Sequence, residues 1–192
     1  MQTKQLTKTV DPLWESAMAL YCKIFPEWER ESISSIEAAI NSGNSRCIVV
    51  YEGDKTIGMS LTEVYLPYKF AMLAYLFVAP SHQGQGLGKL LCLELFDFFN
   101  QNTDLNWLLV EAETKPEQFY KQLGFTTLDI KYQSPHYDDM HSTPMALMLY
   151  LKTKQNAPSK TQLWKLVNHI FCESYYLSPD DPRLEQQRKC IL

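Results

Sequence analysis

One stretch, residues 73–100, constrains the fold most, because it joins a buried strand, a glycine-rich turn and an amphipathic helix. Its first residues are apolar and β-prone, and Pro80 ends the strand because proline has no N–H for a sheet ladder. Gly84, Gly86 and Gly88 then precede a helix with an apolar stripe. The unpaired N–H groups and the dipole at such a helix start favour an anion. The stretch therefore predicts a site for a phosphate-bearing ligand.

The spacing of the glycines decides between phosphate-binding motifs. A Walker A loop requires G-x-x-x-x-G-K-[ST], but Gly84 and Gly88 are one residue too close, and Leu90 stands where the hydroxyl belongs. A dinucleotide-binding turn requires G-x-G-x-x-G, whereas this chain has G-x-G-x-G. The pattern that does fit is Q-x-x-G-x-G over residues 83–88. It resembles motif A of the GNAT superfamily of N-acetyltransferases, in which the backbone amides of this turn hold the pyrophosphate of acetyl-CoA.

A second motif lies about thirty residues further along, within the same order of elements. The segment FYKQLGF, residues 119–125, is similar to the family's FYxxLGF pattern. Two motifs in the right order, one on a strand–turn–helix and the other on a helix after a strand, are more specific than either alone. The resemblance covers residues 3–152.

The pattern of elements predicts an α+β fold, which is GNAT-like in having a mixed, mostly antiparallel central sheet with a splayed parallel pair and flanking helices. A helix between the strands at 70–78 and 107–112 predicts that these two are parallel. The other predicted strands are residues 3–10, 47–51, 56–65, 125–132 and 145–152. The predicted helices begin at Pro12, Ser32, Leu87, a capping box at Thr114, and Gln162.

The chain divides into a predicted acetyltransferase domain, residues 3–152, and a C-terminal helical extension, residues 158–192. The apolar face of the helix expected at 162–176 must pack either on its own domain or on a second chain, so a homodimer is one of the two arrangements that the sequence allows. A polar loop is expected at 133–143 and a charged tail after Pro182.

Composition excludes several partners. The net charge is −4 with a pI of about 5.6, and no cluster of lysine and arginine is large, which argues against nucleic acid and favours a cationic substrate. No apolar run reaches the ~20 residues that span a bilayer, so no membrane segment is expected. Five scattered cysteines without C-x-x-C spacing favour free thiols in a reducing compartment, and we expect a cytoplasmic protein.

The resemblance implies an acetyl-CoA site and one catalytic tyrosine. The residues implied to hold acetyl-CoA are Leu76, Phe77, Val78, Gln83, Gly84, Gln85, Gly86, Leu87, Gly88 and Lys89. In the family, the strand before the turn pairs with the pantetheine arm, so this strand is expected to separate from its parallel neighbour near its end. Tyr120 matches the tyrosine that stabilises the leaving thiolate; the simpler interpretation is a core aromatic residue, because Phe119 and Phe125 flank it.

The base that takes the proton of the amine is predicted from strand periodicity. Glu111 and Glu113 are two residues apart and share one face of a strand beside the acetyl-CoA site. We rank Glu111 first, with Glu113 and Glu63 as alternatives. A base is also dispensable, because water chains can carry the proton. Many relatives carry an asparagine at the position of Glu113, and the bond that this asparagine makes to pantetheine is therefore in question here.

Several loop residues are candidates for further parts of the site. The residues from His136 to His141 include types that bind metals, but no partner cluster exists elsewhere in the sequence, so we expect no metal. A loop facing the substrate is the preferred interpretation. Trp28, Glu29, Tyr65 and Tyr68 are further candidates to line the same cleft, or else ordinary loop residues.

The predicted function is acyl transfer by direct attack, in which an N-acetyltransferase moves an acetyl group from acetyl-CoA to a primary amine of a small molecule or peptide. Two alternatives stay open. One is a lysine or N-terminal acetyltransferase that acts on proteins and shows a wide groove. The other is a non-catalytic module that binds acyl-CoA.

Overall fold

The computed structural model describes residues 1–137 and 139–192. The strands are β1 Gln2–Leu6, β2 Ser45–Glu52, β3 Lys55–Tyr65, β4 Phe70–Val78, β5 Trp107–Ala112, β6 Thr126–Thr127, β7 Tyr132–Pro135 and β8 Ser142–Leu151. The helices are α1 Pro12–Ile24, α2 Ile33–Ser42, α3 Leu87–Gln101, α4 Thr114–Gln122, α5 Lys160–His169 and α6 Pro182–Ile191. A π-helix, Ile170–Ser174, continues α5, and short 3₁₀ turns occupy Glu27–Glu29, Leu66–Tyr68 and Pro80–His82.

Local chemistry sets the helix ends that flank the sheet. The Asp11 carboxylate accepts the N–H of Leu13 at 3.0 Å, and Pro12 follows it at the first helical position of α1. Ser32 caps α2 in the same way, and Gly43 ends that helix with φ 82°, a left-handed conformation that favours glycine. The predicted starts of both helices are confirmed.

The sheet confirms the predicted α+β fold. Its strand order is β1-β2-β3-β4-β5-β8-β6, with β7 paired to β8, and β4 with β5 is the parallel pair in the described chain. Residues 70–73 pair with residues 107–110, after which each strand continues without the other. The two strands therefore separate towards their C-terminal ends, as predicted, and a gap opens in the middle of the sheet.

Three local predictions were wrong. The strand expected at 125–132 is instead β6 and β7 with a bend between them, because Leu128 and Ile130 both pack against the one core cluster that the sheet forms with the helices of the extension, rather than alternating across a sheet. The polar loop expected at 133–143 is shorter, because both of its ends are strand: β7 pairs with β8 as far as the pair Pro135 and Ser142. Thr114 makes no capping box: α4 begins after Glu113 without a side-chain cap.

The C-terminal extension packs on the sheet of its own chain. Leu166, Val167 and Phe171 are buried in one core cluster with Phe70 of β4 and Leu109 of β5. The single helix expected at 162–176 is α5 followed by the π-helix, and the expected charged tail forms α6 because Asp181 caps it through the N–H of Arg183 at 2.9 Å. No described helix is long and apolar enough to cross a membrane.

Removing a core side chain of the extension should destabilise the whole domain. Leu166→Ala, at a position 2% exposed, should lower the free energy of unfolding by about 2–5 kcal/mol, because it leaves a cavity against the sheet. The matched control is Leu93→Ala on α3, where the side chain is 46% exposed. Urea denaturation measures both. Equal, small effects would mean that the extension does not share the core.

Candidate functional site

The glycine-rich turn presents backbone to open space. Gly84 and Gly86 have φ of 76° and 80°, and a Cβ added at either would meet no atom within 4 Å. The turn leads into the first turn of α3, where Lys89 is exposed. The Gln83 side chain donates to the carbonyl of Val78 at 3.2 Å and ties the turn to the end of β4. Free N–H groups, a helix dipole and an exposed lysine fit a phosphate-bearing ligand.

The two sequence motifs meet in space. A Cβ at Gly88 would lie 3.3 Å from Cζ of Phe119, so the start of α3 packs on the helix that carries Tyr120. A larger residue at position 88 would require the Phe119 ring to shift by a few tenths of an ångström. This close approach brings the predicted phosphate site and the predicted catalytic tyrosine into one region.

The end of β4 offers a free backbone edge. Leu76, Phe77 and Val78 pair with β3 on one side, whereas β5 has already turned away on the other. Phe77 is buried in the core with α1, and Leu76 and Val78 pack with Leu87 and Leu91 of α3. These side chains are core, while their backbone groups on the open edge fit the amides of a pantetheine arm.

A cavity of about 310 Å³ occupies the gap between β4 and β5. Its polar lining consists of carboxyl groups and hydroxyl groups, namely Glu29, Glu63, Glu111, Glu113, Tyr75, Tyr120, Tyr137, Ser174 and Tyr175. None of the described residues that line it is a lysine, arginine or histidine. A larger, more open concavity of about 830 Å³ lies between β1, α2 and α3, and it contains neither motif.

Tyr120 lies at the wall of this cavity. Its ring packs edge-on against Phe119 and Phe125, and the residue is 6% exposed, so it is a core aromatic residue, and its place in the cavity lining is compatible with the predicted catalytic role. Burial raises the pKa of the Tyr120 phenol above its ordinary value. The hydroxyl therefore stays protonated and is available as a donor.

Glu111 is the carboxylate most tightly held in the cavity. It receives hydrogen bonds from the hydroxyls of Tyr132 and Tyr175, and from Ser134 at 2.9 Å. Burial raises the pKa of Glu111, and these three donors act in the opposite direction because they stabilise the charged form. A partly buried carboxylate with a raised pKa is suited to accept a proton.

The two alternatives to Glu111 also line the cavity. Glu63 is buried and accepts from Tyr65 at 2.6 Å and from Ser174 at 2.8 Å. Burial raises its pKa as well. Glu113 is exposed at the start of α4. The structure thus brings all three predicted carboxylates to one cavity, at different depths.

Glu29 joins the site more closely than sequence reasoning indicated. Burial, followed by repulsion from Glu113 and Glu111, raises the pKa of Glu29 to about 7. Of the other expected cleft residues, Trp28 stacks on the His136 ring with centroids 4.3 Å apart, while Tyr65 and Tyr68 line a separate cavity. Tyr68 itself stacks on His169.

Ser174 and Tyr175 line the cavity and were missed, and Tyr137 was not singled out within its loop. The first two come from the C-terminal extension, which the sequence places outside the acetyltransferase domain, and no local motif marks them. Tyr137 lies in the loop after β7, the loop that was expected to face the substrate. The available signal was the position of that loop, which joins the last two predicted strands.

The loop after β7 also gathers three groups that bind metals. One ligand atom from each of His136, Asp139 and His141 lies within 4.8 Å of the others. The Asp139 carboxylate is 3.1 Å from a ring nitrogen of each histidine. The absence of a metal stays a prediction.

Comparison with known proteins gives a family model and a relative that are both described as acetyltransferases. Residues 22–149 match the family model for an acetyltransferase (GNAT) domain. An uncharacterised N-acetyltransferase, ycf52, of Gracilaria tenuistipitata var. liui is 28% identical over 103 residues, which are 52% of this chain and 56% of that protein. The match thus spans little more than half the length of that relative.

Solved structures share the fold. A protein of Bacteroides thetaiotaomicron assigned to the GNAT acetyltransferases superposes with a TM-score of 0.75 at 18% identity, and the match covers 93% of this chain and 100% of that one. A spermidine N-acetyltransferase of Vibrio cholerae, solved with CoA and spermine, has a TM-score of 0.60 at 20% identity over 80% of this chain and 96% of its own.

The crowding of carboxyl groups predicts a measurable titration. In ¹³C NMR of labelled protein, Glu29 should titrate near pH 7, and Glu113→Gln should lower that midpoint because it removes a repelling negative charge. Glu15→Gln, on α1 and outside the cavity lining, is the matched control and should leave the midpoint in place. A midpoint near 4.3, the ordinary value for a glutamate, would contradict the arrangement.

Proposed function

The chain belongs to the GNAT family of acetyltransferases, and from that premise we propose that it transfers an acetyl group from acetyl-CoA to a primary amine that arrives as a cation. One observation carries the proposal. The gap between β4 and β5 places a cavity with four carboxyl groups and Tyr120 directly beside the free edge that fits pantetheine.

The charge of the cavity supports a cationic acceptor. Burial, followed by repulsion from Glu113 and Glu111, raises the pKa of Glu29, and no described lining residue supplies a counter-charge. An ammonium group would relieve that repulsion. The Vibrio cholerae relative solved with spermine makes aliphatic di- and polyamines the first class to test here.

The chemistry requires the acceptor nitrogen to lose two protons. We assign the first to Glu111, which takes a proton from the bound ammonium and leaves a neutral amine to attack the acetyl carbonyl. As the C–N bond forms and the C–S bond breaks, the nitrogen releases a second proton. The CoA thiolate takes a proton from the Tyr120 hydroxyl, and the proton released by nitrogen restores Tyr120 through solvent.

Acetyl-CoA would be held by backbone more than by side chains. Gly84 and Gly86 leave room for the pyrophosphate at the start of α3, and the free edge of residues 76–78 would orient the pantetheine. Gln85 and Lys89 are exposed beside the turn and would add a polar and a cationic contact. The bound thioester supplies the acetyl group; the chain supplies its orientation.

A protein acceptor fits less well. Tyr137 and Tyr175 line the cavity from two separate segments and help to enclose its volume of about 310 Å³, whereas a modified protein would need a wide groove. The presence of Tyr120 beside several carboxyl groups argues against a module that only binds acyl-CoA.

Binding and turnover of amines test the proposal directly. Acetyl-CoA should raise the Tm of the protein by preferential binding to the folded state, and NAD⁺, as a control nucleotide, should not. Thiol release should then follow addition of an aliphatic diamine or polyamine, with neutral aliphatic alcohols as inactive acceptors. No stabilisation by any acyl-CoA would reject the proposal, and stabilisation without thiol release would favour the non-catalytic alternative.

Removing the Tyr120 hydroxyl should slow chemistry without weakening binding. Tyr120→Phe should lower kcat roughly hundredfold, the size typical of a lost acid–base group, while KM for acetyl-CoA stays within a factor of about two. Tyr51→Phe is the control, because its hydroxyl bonds Gln2 at 2.7 Å on a distant edge of the sheet. Unchanged turnover in Tyr120→Phe would remove Tyr120 from the mechanism.

A further inference from the structure

The C-terminal extension sends two hydroxyl side chains into the cavity of the acetyltransferase domain. Tyr175 donates to Oε2 of Glu111, and Ser174 donates to Oε2 of Glu63 at 2.8 Å. Both residues line the cavity between β4 and β5. Two neighbouring residues of one segment thus contact two carboxyl groups that lie on different strands.

The π-helix makes this double contact geometrically possible. The N–H of Tyr175 bonds the carbonyl of Ile170 at 3.1 Å, five residues back, so this turn contains one residue more than an α-helical turn. Ile170 and Phe171 remain fully buried in the core with the sheet. The wider turn lets the next two side chains of the inner face reach the cavity, and such π-turns are frequent at functional sites.

The groups around Glu111 include no positive charge in the described lining, so hydroxyl donors orient its carboxylate. The other ionisable groups that line the cavity are the carboxyls of Glu29, Glu63 and Glu113 and the phenols of Tyr75, Tyr120, Tyr137 and Tyr175. Tyr132, which lies outside this lining, donates a further hydrogen bond to Glu111. No described residue of this lining offers a positive charge. The orientation of the Glu111 carboxylate therefore depends on hydrogen bonds from Tyr132, Ser134 and Tyr175.

We propose that Tyr175 is a positioning residue of the acceptor site, which holds the Glu111 carboxylate in the direction from which the ammonium approaches. This inference rests on the proposed function. Ser134 bonds both Glu111 at 2.9 Å and the Tyr175 hydroxyl at 2.7 Å, so the three groups form one closed arrangement. In this proposal the extension contributes to the acceptor site directly, because its Tyr175 orients Glu111.

A hydroxyl that donates to a carboxylate stabilises the charged form, so its removal must raise the pKa of that carboxyl group. For Tyr175→Phe, the acidic limb of the pH profile of kcat/KM should move to higher pH by roughly one unit, and kcat at pH 7 should fall roughly tenfold. KM for acetyl-CoA should stay unchanged, because Tyr175 does not line the turn at 83–88.

Tyr176→Phe is the matched control. It removes the same atom one residue further along, where the hydroxyl donates to Glu31, a residue outside the lining of this cavity. Its pH profile should superpose on that of the unaltered protein. A profile of Tyr175→Phe that also superposes on it would overturn the proposal, and so would equal shifts in both variants, which would indicate a general loosening of the extension.

A titration without substrate separates this inference from the proposed function. In ¹³C NMR, the midpoint of the Glu111 carboxyl should be higher in Tyr175→Phe than in the unaltered protein, and unchanged in Tyr176→Phe. Thermal melts check that both variants are folded. If the midpoint moves but no amine is acetylated, the proposed function fails while the contact stands; if the midpoint does not move, the positioning role fails whatever the activity.

Discussion

The parting of β4 from β5 is the constraint on which the site depends. The two strands pair over four residues each and then separate, and the separation frees the backbone edge of residues 76–78. It also opens the cavity into which Tyr120 and Glu111 project from α4 and β5. A fully paired sheet would bury both edges and leave no volume between them. The contact of Gly88 with Phe119 holds α3 and α4 on the same face, beside this opening.

The second constraint on the site is electrostatic. The cavity concentrates acidic groups, and its described lining contains no basic residue. Such crowding destabilises the charged forms, and the chain offsets it with hydroxyl donors from β3, β7 and the C-terminal extension. The same crowding would favour a cationic ligand. One set of carboxyl groups thus connects the packing of the extension with the proposed choice of acceptor.

Sequence reasoning found those parts of the site that are encoded locally. The glycine spacing at 83–88, the position of Tyr120 within its motif and the alternation that places Glu111 on an inward face all depend on neighbouring residues. The separation of β4 and β5 was also foreseen, from the family resemblance. Tyr175 and Ser174 were not found, since their contacts to Glu111 and Glu63 span 64 and 111 residues of chain.

The erroneous strand at 125–132 has the same origin, because Leu128 and Ile130 pack on a core cluster to which the sheet, α5 and α6 all contribute, and no local pattern reveals such a contact. The Bacteroides thetaiotaomicron structure matches 93% of this chain. The unmatched remainder is smaller than the extension at 158–192, so part of the extension must lie within the match. The extension therefore recurs, at least in part, in a structure of 18% identity, which extends the shared fold beyond the predicted domain.

A crystal structure of the protein with CoA and a diamine would test the central claim most directly. The account predicts pantetheine amides bonded to the backbone of residues 76–78, the CoA sulfur beside the Tyr120 hydroxyl, and the amine nitrogen within hydrogen-bond distance of Glu111. CoA bound away from the gap between β4 and β5, or an amine bound outside the cavity, would contradict it.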